Sequence, residues 1–236
     1  MVIISGPGVS QEEIIRSEQD IAQLVELYVT SFSGRMQQER PIVEKGARRT
    51  ITHSLHDRNI LLAYDGATAV GFLLFEALYG VQAIMFDALL FYRHNTERGA
   101  QDTVDLVQRI ARESAYSDGA RMNPSSIEAS KIEVITGTDA LTVQGRDEKD
   151  WGKTATAVHA DYKKGGIATA LNDRLTTAAL HYKIPHIFTV CTDDRGILEM
   201  NRTAGYQEIA MIRPWYADRS PATFMVKDLT EARRKL

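Results

Sequence analysis

The sequence is short of cysteine, of long apolar runs and of positive charge, and each shortage removes a class of protein. Cys191 is its single cysteine, so an internal disulfide framework is excluded and a reducing compartment is expected. It sits in the strand-like run HIFTVCT (186–192), where a small core residue is the expected role and a nucleophile is not. No apolar stretch reaches the roughly 18 residues of a membrane span. The opening MVIISGPGVSQEE has neither the basic region nor the apolar segment of a signal peptide, so a cytoplasmic protein with no membrane partner is expected. The net charge of −3 and pI near 6.1 give no general attraction for nucleic acid. Internal repeats and low-complexity tracts are also missing.

What remains is an ordinary globular composition. The 236 residues are 44% hydrophobic and 25% charged, enough for a sizeable core, and a single domain over 1–236 is expected. Its organising stretch is TATAVHADYKKGGIATAL (154–171). Thr154 to His159 reads as a strand. From Ile167 the period changes: Ile167, Leu171, Leu175, Ala178 and Tyr182 recur at three- and four-residue steps and predict a helix of about four turns. Gly165 and Gly166 permit a sharp turn and close approach to the main chain. The first N–H groups of the helix have no internal partner, and Lys163 and Lys164 add charge at the rim. Such a turn suits an anion, although strand, glycine turn and helix also serve as a plain corner.

VHADYKKGGIATAL resembles the acyl-CoA-binding motif of the GNAT N-acyltransferase superfamily, V-x-P-x-x-[RQ]-x-x-G-x-[GA]. Val158, Gly166 and Ala168 take the valine, first glycine and final small position, whereas Ala160 replaces the proline and Lys163 the Arg or Gln. The stretch DDRGILEMNRTAGYQEI (193–209) resembles the second signature of that family, N-x-x-[AM]-x-x-x-[YN]-x-x-x-G-[FY]. Asp194 stands at its Asn, Asn201 at the Tyr/Asn position, and Gly205 and Tyr206 at its end. The resemblance implies an α/β fold: a mixed, mostly antiparallel twisted sheet with helices on both faces. It also implies acetyl-CoA, or another acyl-CoA, as co-substrate without a metal. Val158, His159, Ala160, Lys163, Lys164, Gly165, Gly166, Ile167, Ala168, Thr169 and Asn201 are the residues it places against that cofactor.

The rest of the chain reads in order. Residues 12–16 suggest a short strand, and Ser17, with Asp20 as capping partner, opens a helix whose apolar face is Ile21, Leu24, Val25, Tyr28, Val29 and Phe32. A second helix is expected within 35–56, around Pro41; His53 and His56 belong to its solvated face and do not form a metal site. NILLAYDGATAVGFLLFEAL (59–78) is a hairpin turning at Asp65 and Gly66. An inserted α/β segment occupies about 79–150: strand or helix over 81–92, a helix over 101–117 and a hairpin over 131–145. It is expected to shape an acceptor pocket or a subunit interface, so a homodimer is possible. Strands over 206–212 and 222–229 flank a loop whose Trp215 and Tyr216 line a pocket or simply pack it down.

The resemblance implies transfer of an acyl group, expected to be acetyl, from CoA to the amine of a small molecule. A protein or peptide amine is the alternative acceptor, and an acyl-CoA-binding sensor without turnover the alternative class. The base position used by some members falls near Gly152, and Asp150 is the nearest acid; Glu76, Asp87 and Glu133 are further candidates. Asn201 cannot donate a proton as a tyrosine would, so it is expected only to hydrogen-bond near the cofactor. His159 is expected to be a core or surface histidine.

Overall fold

The structure is a computed structural model that describes residues 2–5, 18–36, 39–78, 131–134, 150–213 and 220–234. The chain divides into two compact units, one made of Met1–Glu76 and Lys153–Lys183, the other of Ala77–Gly152 and Ile184–Leu236. The expected elements at 12–16, 81–92, 101–117 and 141–145, and Ser17, Asp87, Trp215 and Tyr216, lie outside the described residues.

In the first unit β1 (Val2–Ser5), β2 (Ile60–Asp65), β3 (Thr68–Ala77) and β5 (Trp151–Val158) are neighbours in that order. β1 pairs antiparallel with β2, and β2 with β3. Helices α1 (Glu18–Met36) and α2 (Arg40–His56) pack on one another. Pro41 sits in the first turn of α2, where its missing N–H costs nothing. The apolar stripe of α1 and Val43, Ala47, Ile51 and Leu55 of α2 form one cluster with Ile60, Leu62, Phe72, Leu74, Ala155 and Ala157. Tyr28 lies parallel to Phe72, with ring centroids 6.1 Å apart. Leu61 and Leu73, which alternate with those strand residues, are also fully buried, on the opposite face. That face carries α3 (Ile167–His181), which contacts β1 and β2. Helices therefore cover both faces of these strands, as the family pattern implies.

The hairpin contains a bulge. Ala63 pairs with Gly71 but Tyr64 pairs with Ala69, so Val70 is the extra residue of β3. The bulge frees two backbone groups for other work. Ala69 donates its N–H to Gln23 Oε1 of α1 at 3.0 Å, and the Val70 carbonyl accepts the His159 N–H at 2.9 Å.

In the second unit the order is β6 (His186–Thr192), β8 (Ala222–Asp228), β7 (Gln207–Arg213) and β4 (Lys131–Val134), each pair antiparallel. Residues 131–134, expected to begin a hairpin, pair with β7, and the rest of that expected hairpin lies outside the described residues. Cys191 is buried against the Thr223 carbonyl and Met225 Sδ, each 3.7 Å from its sulfur, a core position as expected. A short helix α4 (Arg195–Thr203) follows β6, and α5 (Thr230–Arg234) follows β8.

The sequence-based boundaries need four corrections. β5 begins at Trp151 and ends at Val158, so His159 lies beyond the strand, and Ala160 belongs to a 3₁₀ turn (Ala160–Tyr162). Tyr182 is not part of the α3 stripe: it caps the C-terminus and is 50% exposed. β1 starts the fold at Val2, where no strand was expected. Helix α5 was also unexpected.

At Gly71, β3 lies close to both β5 and α3. A Cβ there would stand 3.1 Å from Ile167 Cγ2 and 3.2 Å from the Ala157 carbonyl oxygen. Gly71→Val is expected to destabilise the protein by about 1–3 kcal/mol through overpacking, read as a lower midpoint in urea; an unchanged midpoint would contradict this packing.

Candidate functional site

The turn between β5 and α3 is a main-chain structure held from behind. After Val158 the chain anchors His159 N–H on Val70, and the His159 ring nitrogen Nδ1 accepts the Asp161 N–H at 3.4 Å. Tyr162 closes the 3₁₀ turn and donates its hydroxyl to Asp65 Oδ2 at 3.0 Å, tying the turn to the β2–β3 hairpin. That bond holds the Asp65 carboxyl below its usual range and pushes the Tyr162 phenol up. Two residues then take left-handed backbone, Lys164 at φ 67° and Gly166 at φ 77°. They reverse the chain within three residues.

Helix α3 begins without a side-chain cap. Its first internal bond runs from Ala170 N–H to the Gly166 carbonyl, and no side chain caps Gly166. Among the described residues, no acceptor takes the N–H groups of Gly166, Ile167, Ala168 or Thr169, as helix geometry requires of a first turn left uncapped. No acid occupies that turn. Lys163, Lys164, Gly165 and Gly166 are exposed, and a Cβ built on Gly166 would meet nothing within 4 Å. This arrangement fits an anion: donors without a partner among the described residues stand at the positive end of a helix dipole, beside the open space at Gly166. Two expected donors are already engaged, however. Lys163 N–H bonds to the Ala160 carbonyl and Gly165 N–H to the Tyr162 carbonyl, each at 3.2 Å. The main-chain donors that could form a cradle are therefore those of Gly166 to Thr169, with the exposed Lys163 and Lys164 beside them.

Helix α4 shows the contrasting case. Asp194 Oδ1 accepts Gly196 N–H at 2.9 Å and Ile197 N–H at 3.1 Å, so this helix is capped by its own carboxylate. Asp194, at the Asn position of the second signature, is thus an N-cap. At the other end Gly205, at φ 87°, closes α4: Gly205 N–H bonds to the Arg202 carbonyl and Tyr206 N–H to the Asn201 carbonyl. Asn201 is 1% exposed, and Tyr206, also buried, has its phenol pushed up by burial.

Asp150 is also buried, 4% exposed, with Oδ1 3.0 Å from His186 Nδ1. Its carbonyl accepts Leu78 N–H at 2.8 Å. His186 Nε2 lies 3.9 Å from Asp228 Oδ1, which caps the next turn through Thr230. Sequence reasoning had no means of finding His186, because its meeting with Asp150 depends on three-dimensional placement. Glu76 is exposed at the end of β3, and Glu133 lies on β4 opposite Met211. His159 is a surface residue, its side chain 53% exposed. His53 and His56 both face Asp57 on an exposed helix end, and no cluster suited to a metal ion occurs among the described residues.

The sequence matches no protein-family model and no curated protein sequence. Solved structures do match. A Drosophila melanogaster polyamine N-acetyltransferase that forms N-acetylagmatine is 11% identical at a TM-score of 0.58, with 97% of this chain and 100% of that one covered. A NatC complex bound to Gag peptide and CoA gives 11% identity and a TM-score of 0.53 over 97% and 98%. A GNAT-family acetyltransferase from Bacillus cereus gives 10% and 0.50 over 97% of each chain.

The strained turn is open to test. Lys164→Gly is expected to lie within about 0.5 kcal/mol of wild type, whereas the β-branched side chain of Lys164→Val should cost about 1–2 kcal/mol at this φ; chemical denaturation of the two variants should separate them. With a bulged hairpin, an uncapped α3 and this turn between them, and with solved acetyltransferases superposing over nearly all of its length, the chain has the fold of the GNAT N-acyltransferases.

Proposed function

We propose that the protein is an N-acyltransferase that moves an acetyl group from CoA to the amine of a small molecule. The carrying observation is the set of main-chain donors from Gly166 to Thr169, which have no acceptor among the described residues, beside Lys163 and Lys164. Gly166 to Thr169 would hold the diphosphate, and β5, with Val158 at its end, would carry the rest of the coenzyme toward the acceptor. The fold supports acetyl transfer: solved neighbours include an enzyme acting on a polyamine and a complex bound to peptide and CoA. The small-molecule acceptor is this proposal's own choice between those two kinds of amine.

The chemistry needs little covalent help from the protein. The amine nitrogen attacks the thioester carbonyl, the C–S bond breaks as the amide forms, and the sulfur leaves as a thiolate that takes up a proton. Holding the two reactants together supplies most of the acceleration. The amine must arrive unprotonated or lose its proton, and Asp150, bonded to His186, is the group we assign to that proton.

Two experiments test this reading. Acetyl-CoA at about a hundred times its dissociation constant should stabilise the protein by roughly 2.7 kcal/mol, seen as a raised melting temperature, and a panel of amines should release free CoA above the hydrolysis blank. Gly166→Asp should remove the thermal shift with the unliganded fold kept, because Asp tolerates left-handed backbone and has room there, while its carboxylate repels the diphosphate. Binding without release from any small amine would favour the sensor, and release only with peptides the alternative acceptor. For the proton, Asp150→Asn keeps the shape of the pair and should lower kcat by about 100-fold with acetyl-CoA affinity unchanged; an unchanged kcat removes Asp150 from the mechanism.

A further inference from the structure

We propose that Asn172 is a positioning residue for the diphosphate-binding turn, acting through the carbonyl of Ala168; this rests on the acyl-CoA reading above. The buried stripe of α3 comprises Ile167, Leu171, Leu175, Ala178 and Ala179, with one polar member, Asn172, at 1% exposure. A buried amide is costly unless its donors and acceptor are used. Here both ends are used. Oδ1 accepts from Lys153 Nζ at 3.1 Å, and Nδ2 donates to the Ala168 carbonyl at 2.8 Å. An ammonium can only donate, so Lys153, itself 6% exposed on β5, fixes which end of the Asn172 amide is oxygen and points the NH₂ at Ala168.

The Ala168 carbonyl and the Thr169 N–H are opposite ends of one rigid, planar peptide group. A hydrogen bond that holds the oxygen therefore aims the N–H, and Thr169 N–H is one of the donors left without an acceptor in the first turn. Asn172 thus sets the direction of a ligand-binding amide without touching the ligand. A leucine at 172 would fill the stripe but leave the Ala168 carbonyl with its helical bond alone, without the second bond that Asn172 Nδ2 supplies.

The test uses a pair of isosteric variants. In the same helix Thr176 and Thr177 donate their hydroxyls to the carbonyls four residues back, Asn172 and Asp173, at 2.8 and 2.9 Å. Asn172→Thr can therefore donate to Ala168 in the same way, whereas Asn172→Val cannot, and both lose the Lys153 partner equally. Asn172→Thr is expected to bind acetyl-CoA within about threefold of wild type, and Asn172→Val about tenfold more weakly, the worth of one good hydrogen bond. The loss should appear in KM for acetyl-CoA with kcat retained, and the two variants should melt together. Equal affinity of the Thr and Val variants, with wild type binding normally, overturns the proposal alone. Wild-type protein that binds no acetyl-CoA overturns the acyl-CoA reading and this inference with it.

Discussion

Everything in the candidate site depends on where α3 is allowed to begin. The chain leaves β5 at Val158 and starts a helix at Ile167, with a 3₁₀ turn and two left-handed residues between. Because Gly166 offers no side-chain cap, the donors of the first turn stay open. Magnitudes show why these outrank the lysines beside them. A hydrogen bond to a charged group contributes about 1.5–3 kcal/mol, several are available here, and the helix dipole adds about 0.3–1 kcal/mol. An exposed lysine paired with an anion gives about 0–1 kcal/mol and is screened by salt. In the function proposed, the binding surface would therefore be backbone, and side chains would matter chiefly through how they hold that backbone.

Three supports do the holding, each by a different interaction. The Tyr162 hydroxyl fixes the 3₁₀ turn to Asp65 on the hairpin. The absent side chain of Gly71 lets Ile167 seat the helix start against β3 and β5. Asn172 ties the first turn to Lys153 on β5. The bulge at Val70 contributes from the other side, since its spare carbonyl takes His159 N–H and ends the strand there. Asp65, Tyr162, Gly71, Asn172 and Lys153 would not meet the coenzyme in the arrangement proposed, yet each constrains the amides that would.

Much of this was legible from pattern alone, and the limits have physical causes. The hairpin at 60–77, the start of α3 at Ile167 and the span of β6 follow from periodicity and glycine placement, and they stand where expected. Gly205 likewise stops α4 as its place in the second signature suggests. The early start of β5 was hidden because Gly152 and Lys153 are poor strand residues; a buried lysine is intelligible only once Asn172 faces it. Tyr182 fits the helical spacing but falls at the cap, where the spacing no longer implies burial. Asn172, a polar residue beside the apolar stripe, carries no mark in sequence of its burial. The meeting of Asp150 with His186 joins residues 36 apart in the chain and leaves no trace in any local pattern.

The departures from the acyl-CoA motif are intelligible on the same grounds. Ala160 stands for a proline and Lys163 for an Arg or Gln, but Ala160 lies in a turn that closes by main-chain bonds from Tyr162 and Lys163. Neither change removes a donor of the cradle. A site made of amides tolerates side-chain replacement wherever φ, ψ and the supporting contacts survive, so its signature in sequence can fade while its geometry persists. That is consistent with a chain only 11% identical to solved acetyltransferases yet superposable on them over 97% of its length. In the function proposed, the acceptor side would have no such protection, because amines are distinguished by side chains. The same fold occurs in a polyamine acetyltransferase and in a complex bound to peptide and CoA, so the backbone alone does not set the acceptor, and the side chains around it would have to.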